Sequence, residues 1–551
     1  MNKLNEPGLE LNADVLVVGG GPAAAWAAIA AAEEGAKVII ADKGYLGTSG
    51  AFAASTSGAK VVPPIETLRN QVKFERYAMG GFLSQHSWWD RILDITFEKA
   101  PKIFEWAGYE APNFNGKGGG YRGGLQGPET MRIMRQVILK LGVKILDQSP
   151  ALELLVDDEG AVAGARGLQR QENRPWTVKA GATILASGGC AWLSKAMGCN
   201  NNTGDGLLMT VEAGGELSSM EFSAHYSPAP VHSSCTKSGQ YRHMTYYDEA
   251  GNEIPGLVRN GHRITSAIAK RLLTGKVYVK IDQPGTENPD MRRMLRLGQP
   301  NFHAALDRAR INPFEERFEI TLNLEGTVRG VGGIRIANQD CGASVPGLYA
   351  AGDAASRELI SGAFTGGAGP NMTWVIGSGN ISGRAAAAFA KSLGPKAHGR
   401  AVHAVGRAGL EGQGAEAQPF DANTVVREVQ DEVFPYDKNI FRTEEGLLRS
   451  LGKLESLWKR VQGTPDQETP QKLQRSREAA ALVAAARWSY FAGLERKETR
   501  GMHKRLDYPA TDPAQRHYLA VGGLDRLWTR PDPVPEAVIP MPADEKQAVH
   551  A

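Results

Sequence analysis

No two cysteines of this 551-residue sequence stand in a C-x-x-C spacing. The four present, Cys190, Cys199, Cys235 and Cys341, are scattered. Neither a zinc nor an iron–sulfur ligand set is expected from them, and the thiols read as buried or idle in a reducing compartment. An excess of one charge is missing too. The 63 basic and 60 acidic residues leave only +3, which gives no field to draw the chain to nucleic acid or an anionic membrane. Long apolar runs are also lacking. The most apolar early stretch is interrupted by Gly19, Gly20 and Gly21 and then by Glu33 and Glu34, too soon for a bilayer span. Residues Met1–Asn12 hold neither an apolar signal core nor twin arginines. The expectation is a cytoplasmic protein of two or three domains, with no metal, no membrane span and no nucleic-acid partner.

Glycine, by contrast, is plentiful and clustered, as in Gly116–Gly124 and Gly362–Gly369, where backbone can come close to a ligand. The most informative cluster follows Asp14–Val18, an apolar run that reads as a short buried strand. Gly19-Gly20-Gly21-Pro22-Ala23-Ala24 fits G-x-G-x-x-[GA]. Gly19 suits the tight turn, Gly21 the approach of a pyrophosphate, and Ala24 close packing of helix on sheet. Pro22 is at home in a first helical turn. Ala23–Glu34 then predicts an alanine-rich helix stopped by Gly35, and Lys37–Ala41 a second strand. Asp42 ends that strand, at the distance where an acid accepts hydrogen bonds from an adenosine ribose. The helix start offers free N–H groups and positive dipole to phosphate. Strand, turn, helix, strand and acid in register predict a dinucleotide site.

Two later segments bear on which dinucleotide. Thr183–Gly189 reads as a crossover strand containing Ala186, Ser187 and Gly188, and Val345–Asp353 as a strand ending in Gly352-Asp353. Together with the first turn they resemble the two-dinucleotide-binding-domain flavoproteins. In these a late Gly-Asp places a carboxylate on the ribityl chain of FAD, and an Ala-Thr-Gly strand carries threonine where Ser187 stands. The resemblance implies FAD. Asn202–Gly206 with Glu212–Phe222, and Lys497–Pro509, further resemble two motif blocks of succinate dehydrogenase and fumarate reductase flavoprotein subunits. The likeness runs from about Asp14 to Pro509. For the cofactor it implies Lys43, Thr48, Ser49, Gly50, Ser55, Ser57 and Gly58 after the second strand, Asp205 in the Thr-Gly-Asp-Gly block, and Asn371 and Met372 at the head of a helix near the flavin ring.

Departures from the family narrow the function. Gly47–Gly58 has no histidine, which implies non-covalent FAD. Val328 stands where the family holds a carboxylate with histidine, and Phe364–Thr373 lacks the family's second carboxylate-binding arginine. Succinate dehydrogenase or fumarate reductase activity is therefore not expected. Lys43–Gly58 resembles the alpha subunit of adenylylsulfate reductase, a branch that works with a ferredoxin-like iron–sulfur partner. Gly366–Thr373 is similar to a loop of 3-ketosteroid dehydrogenases, which keeps open a dehydrogenase of a cyclic ketone. A module that holds FAD without turnover is the third reading. The preferred one is an oxidoreductase of a small anionic molecule, with electrons exchanged through a ferredoxin-like partner; homo-oligomerisation is left open.

The implied architecture is α/β. A doubly wound, Rossmann-like FAD domain (14–222 and 329–393) would carry an inserted α+β capping domain (223–328), followed by a helical domain (418–531) and a tail (532–551). Gly394–Ala417 reads as a linker. Substrate would lie between flavin and cap. The family's proton-donating arginine corresponds best to Arg263, which could instead bind an anion. His225 and Tyr226 fall in the region where the family keeps a substrate-binding histidine, offset by about two positions. Arg329, beside the missing histidine, completes the candidate set.

Overall fold

The first strand, Leu9–Val18, ends in the run Val15–Val18, which is apolar on both faces because both are covered there. Val15 and Val17 enter one core together with Ala24–Ala28, while Leu16 and Val18 enter the other. Each such fully buried aliphatic side chain contributes about 1.5–3 kcal/mol. The computed structural model describes residues 3–55, 58–110, 125–236, 239–257, 261–366, 370–412 and 417–540, without the side chains of 261–263. Within them this strand pairs in parallel with Val38–Ala41 on one side and with the long strand Arg174–Leu185 on the other. The parallel core is completed by Lys144–Leu146 and by Leu348–Ala350, which pairs with Thr183–Leu185. The first half of the long strand instead continues antiparallel into Val162–Gln169 and Ala151–Asp157. Because the turns after Val18, Ala41, Leu185 and Ala350 leave parallel strands, they open at the same edge. That edge carries the site.

Two helices are packed close together to hold this edge. Pro22–Glu33 is two-thirds alanine, and Pro370–Leu393 meets it at Gly379 and Gly383. A Cβ at Gly383 would stand 2.3 Å from the Ala27 carbonyl oxygen, and one at Gly379 2.8 Å from the Cβ of Trp26. Small residues on both helices thus fix the start of the long helix beside the glycine turn.

Tyr226–Pro230, Met244–Tyr247, Val277–Ile281 and Phe318–Leu324 form a separate antiparallel sheet with the helices Gly261–Leu272, Pro289–Gly298 and Pro300–Arg308. It lies over the open edge as a cap. Beyond it come the helices Ala422–Val433, Glu444–Val461 and Pro470–Glu495, whose N-caps Asp421, Thr443 and Thr469 each accept a backbone N–H of the first turn.

The C-terminal organisation departs from the sequence expectation at three places. The stretch read as linker contributes Val402–Ala404, an edge strand against Leu155–Asp157. The region read as helical ends in the hairpin of His517–Gly522 and Trp528–Pro533. Asp532 and Pro533, assigned to the tail, belong to that hairpin, and Glu536 accepts the backbone N–H groups of His86 and Ser87 at 2.7 and 2.9 Å. Pro531 and Pro533 hid the strand; they are tolerated because it is an edge. All four cysteines are buried and unbridged. Among the described residues no helix is long and apolar enough to cross a membrane, and no cluster of His, Cys, Asp or Glu is placed to hold a metal.

Candidate active site

A single cavity of about 1840 Å³ runs from the glycine turn to the underside of the cap, more than the 300–1,000 Å³ usual for one small ligand. At one end its walls are backbone. Gly19 takes φ +125°, and a Cβ there would stand 2.3 Å from the Ala186 carbonyl oxygen. A Cβ on Gly21 meets nothing nearer than the Cα of Gly50 at 3.5 Å, so it would project into the space between those two glycines. Asp42 is buried, accepts Ser49 Oγ at 2.5 Å and lies against Gly20. Burial raises its pKa, opposed by the hydrogen bond from Ser49. Ser187 Oγ is buried at the cavity wall with no partner among the described residues. An open backbone cradle at a helix start, flanked by a buried acid after the strand on one side and an orphaned hydroxyl after the strand on the other, fits a dinucleotide such as FAD.

The other end is built from charged side chains. Glu325 is fully buried and accepts Thr236 Oγ1 at 2.6 Å, Ser227 Oγ at 2.9 Å and Arg329 Nη1 at 3.1 Å. Arg329 also donates to Ser227 Oγ at 3.1 Å, and His225 Nε2 lies 3.3 Å from the same oxygen. Ser227 gives its one hydrogen to Glu325, so it can take an N–H from both Arg329 and His225. This linkage holds a guanidinium and an imidazole at the cavity wall, side by side and oriented.

Buried arginine ties the two ends together. Arg357 pairs with Asp353 at 2.9 Å and donates to the carbonyls of Thr327 and Val328 at 3.1 and 2.8 Å. Behind the wall, Arg496 joins Glu221 and Glu498 at 2.8 and 2.9 Å, and Glu498 also takes Arg500, at the wall itself, at 2.6 Å. His503 accepts Arg442 Nη1 at Nδ1 and so donates Nε2–H to the Arg496 carbonyl. Burial and then the Arg442 charge push its pKa well below 6.5, which keeps it neutral. Breaking one such buried pair costs about 3–5 kcal/mol, so the Lys497–Pro509 segment acts first as scaffold.

The cavity is lined by Gly19, Gly21, Pro22, Ala23, Asp42, Lys43, Ser49, Gly50, Ser55, Gly58, Ala186, Ser187, Gly188, Asp205, Asp353, Asn371 and Met372, and under the cap by His225, Tyr226 and Arg329. Several expected positions are different. Ala24 is in the core. Gly352 is buried behind Asp353, with a Cβ excluded by Ala23. Thr48 is exposed and, among the described residues, its side chain bonds its own turn at the Tyr45 carbonyl. Lys43 and Asp205 border the cavity but pair with each other at 2.7 Å, and Glu478 takes a second ammonium contact. Burial lowers the Lys43 pKa, but the two carboxylates outweigh it and the net shift is upward. The Tyr226 hydroxyl donates to the Val433 carbonyl at 2.7 Å and accepts from Asn439, an anchor to the helical region that leaves it no proton to give. Ser57 and the Arg263 side chain lie outside the described residues; the backbone of Arg263 is in the first turn of the cap helix, next to cavity-lining Ile264, Thr265 and Ser266.

The sequence reading missed Gly20, Arg76, Glu325 and Arg357. Only Gly20 leaves a local sign, as the middle glycine of an unbroken run of three.

Residues 14–370 match the FAD binding domain family, and residues 431–526 match the fumarate reductase flavoprotein C-terminal family. The chain is 26% identical to an uncharacterized FAD-dependent oxidoreductase of Methanocaldococcus jannaschii, over 94% of this chain and 97% of the other. It is 26% identical to an L-aspartate oxidase of Mycobacterium leprae, over 91% and 93%. Among solved structures it is similar to a quinol fumarate reductase chain of E. coli (TM-score 0.78, 20% identity, 97% and 98% covered). It is also similar to the adenylylsulfate reductase of Archaeoglobus fulgidus (TM-score 0.74, 17% identity, 98% of both chains). These two likenesses are of one fold.

Proposed function

The chain belongs to the FAD-dependent oxidoreductases of the succinate dehydrogenase and fumarate reductase flavoprotein family, and from that premise we propose that it oxidises or reduces a small anionic molecule under the cap. When bound, FAD supplies the two-electron redox chemistry. The residues around the glycine turn would hold its pyrophosphate and ribose, with Asp353 toward the ribityl chain and Asn371 and Met372 toward the ring. No histidine stands in Gly47–Gly58 to form a covalent link. The observation that carries the substrate class is the Glu325–Ser227–Arg329–His225 linkage at the cap end. Arg329 would bind an anionic oxygen, its planar fork suiting carboxylate or sulfate-type groups. His225 is placed to hold or pass a proton at its ring nitrogen. The named relatives agree in chemistry, since aspartate, fumarate and adenylylsulfate are all anions.

The outlet for electrons in this reading is a separate ferredoxin-like iron–sulfur protein, because the chain's own cysteines are dispersed and buried. Anaerobic stopped-flow mixing of the FAD-loaded protein with carboxylate and sulfo compounds tests both halves. Flavin absorbance should change with at least one anionic substrate, and oxidised ferredoxin should restore it after reduction. A chain that takes up FAD but responds to no anionic compound in either redox direction contradicts the proposal.

A further inference from the structure

Most cations at the cavity wall already face a carboxylate: Lys43 meets Asp205 and Glu478, Arg329 meets Glu325, and Arg500 meets Glu498. Arg76, from the helix Glu66–Met79, is different. It is 2% exposed, and its hydrogen bonds run from Nη1 to the Gly366 carbonyl at 2.5 Å and to the Met79 sulfur at 3.5 Å. Its Nε is buried with no partner among the described residues. The neighbouring acid, Glu75, contacts Lys60 instead, at 3.7 Å. Burial therefore pulls the Arg76 pKa down, with only the field of Glu75 opposing it.

A buried cation without a counter-ion is costly. Arg76 lines the cavity with Gly366, Asn371 and Met372, the last two in the first turn of the 24-residue helix Pro370–Leu393. A helix start carries positive potential, and Asn371 Oδ1 is also buried without a partner among the described residues. Guanidinium and helix dipole thus converge on one wall where, among the described residues, no carboxylate pairs with the guanidinium. The anion has to come with whatever fills the cavity. Resting on the reading that the FAD ring lies along this wall, we propose that Arg76 is the fixed counter-charge for the negative charge FAD gains on reduction, and so sets its potential.

Spectroscopic redox titration of FAD-loaded wild type, R76Q and R76K tests this. R76Q should lower the preference for reduced over oxidised FAD about tenfold, a shift of about 30 mV to more negative potential for a two-electron couple. Its affinity for oxidised FAD should stay within about threefold, since the charge matters in the reduced state (about 0.65 kcal/mol at most). R76K should keep more than half of the wild-type preference. An unchanged potential in R76Q overturns the proposal, as does an equal loss of oxidised and reduced FAD. So does an unchanged potential with lost binding of malonate as an anionic probe, which would make Arg76 a substrate residue. If R76Q fails to fold, an R76K potential displaced as far as predicted for R76Q overturns it on its own. Wild-type chain that binds no FAD fails the underlying reading instead.

Discussion

The cavity's two ends work by different physics. At the glycine turn the protein offers backbone: a left-handed Gly19, an open Gly21, and a helix start. Under the cap it offers charged side chains drawn from segments about a hundred residues apart and locked by one buried acid, Glu325. Backbone recognition suits a cofactor that every member of a family shares. Side-chain recognition can be exchanged without disturbing the fold, so it suits a substrate that differs between members.

That contrast can be broken most sharply at Gly21. Because its Cβ direction points into the cradle, G21V should fold but bind FAD roughly 1,000-fold more weakly, about 4 kcal/mol by equilibrium titration. An unchanged affinity would show that the cradle does not hold the cofactor. The frame behind the cap end should answer to pH. Burial lifts Glu358 to about 7, against the hydrogen bonds from Ser218 and Ser219 that lower it. A raised carboxyl pKa adds stability that is complete below about 4.5 and is lost as pH rises through about 7. Wild type should therefore lose up to about 3 kcal/mol across that window relative to E358Q, read from urea midpoints at each pH. Equal pH profiles would remove Glu358 from the account. R329Q should separate the ends: FAD content unchanged, kcat/KM reduced roughly 100-fold, about 2.7 kcal/mol. Lost FAD together with lost turnover would merge them. Smallest of all, T48A should alter stability and FAD affinity by less than about 0.5 kcal/mol, because Thr48 faces solvent.

The same contrast explains what was legible. A backbone site is written locally: glycine spacing, an acid one strand later and a Gly-Asp pair mark contiguous segments, and the parallel core follows from them. Glu325, Arg357 and Arg76 carry no such mark, since each matters through a partner far away in sequence. Tyr226 departs from the expectation for that reason: its hydroxyl is used by Val433 and Asn439, more than 200 positions on. Lys43 and Asp205 sit in motifs that point to ligands, yet Lys43 is paired with Asp205 and Glu478. The edge strand Val402–Ala404 was hidden by its small-residue surroundings, and the final hairpin by its prolines.

The most direct test of the division between the two ends is a difference-spectrum titration of the FAD-loaded chain with a dicarboxylate and with its neutral diamide. Saturable perturbation of the flavin spectrum by the dicarboxylate alone, abolished in R329Q with FAD retained, is the predicted result. Equal perturbation by both compounds, or a dicarboxylate response that R329Q leaves intact, would contradict it.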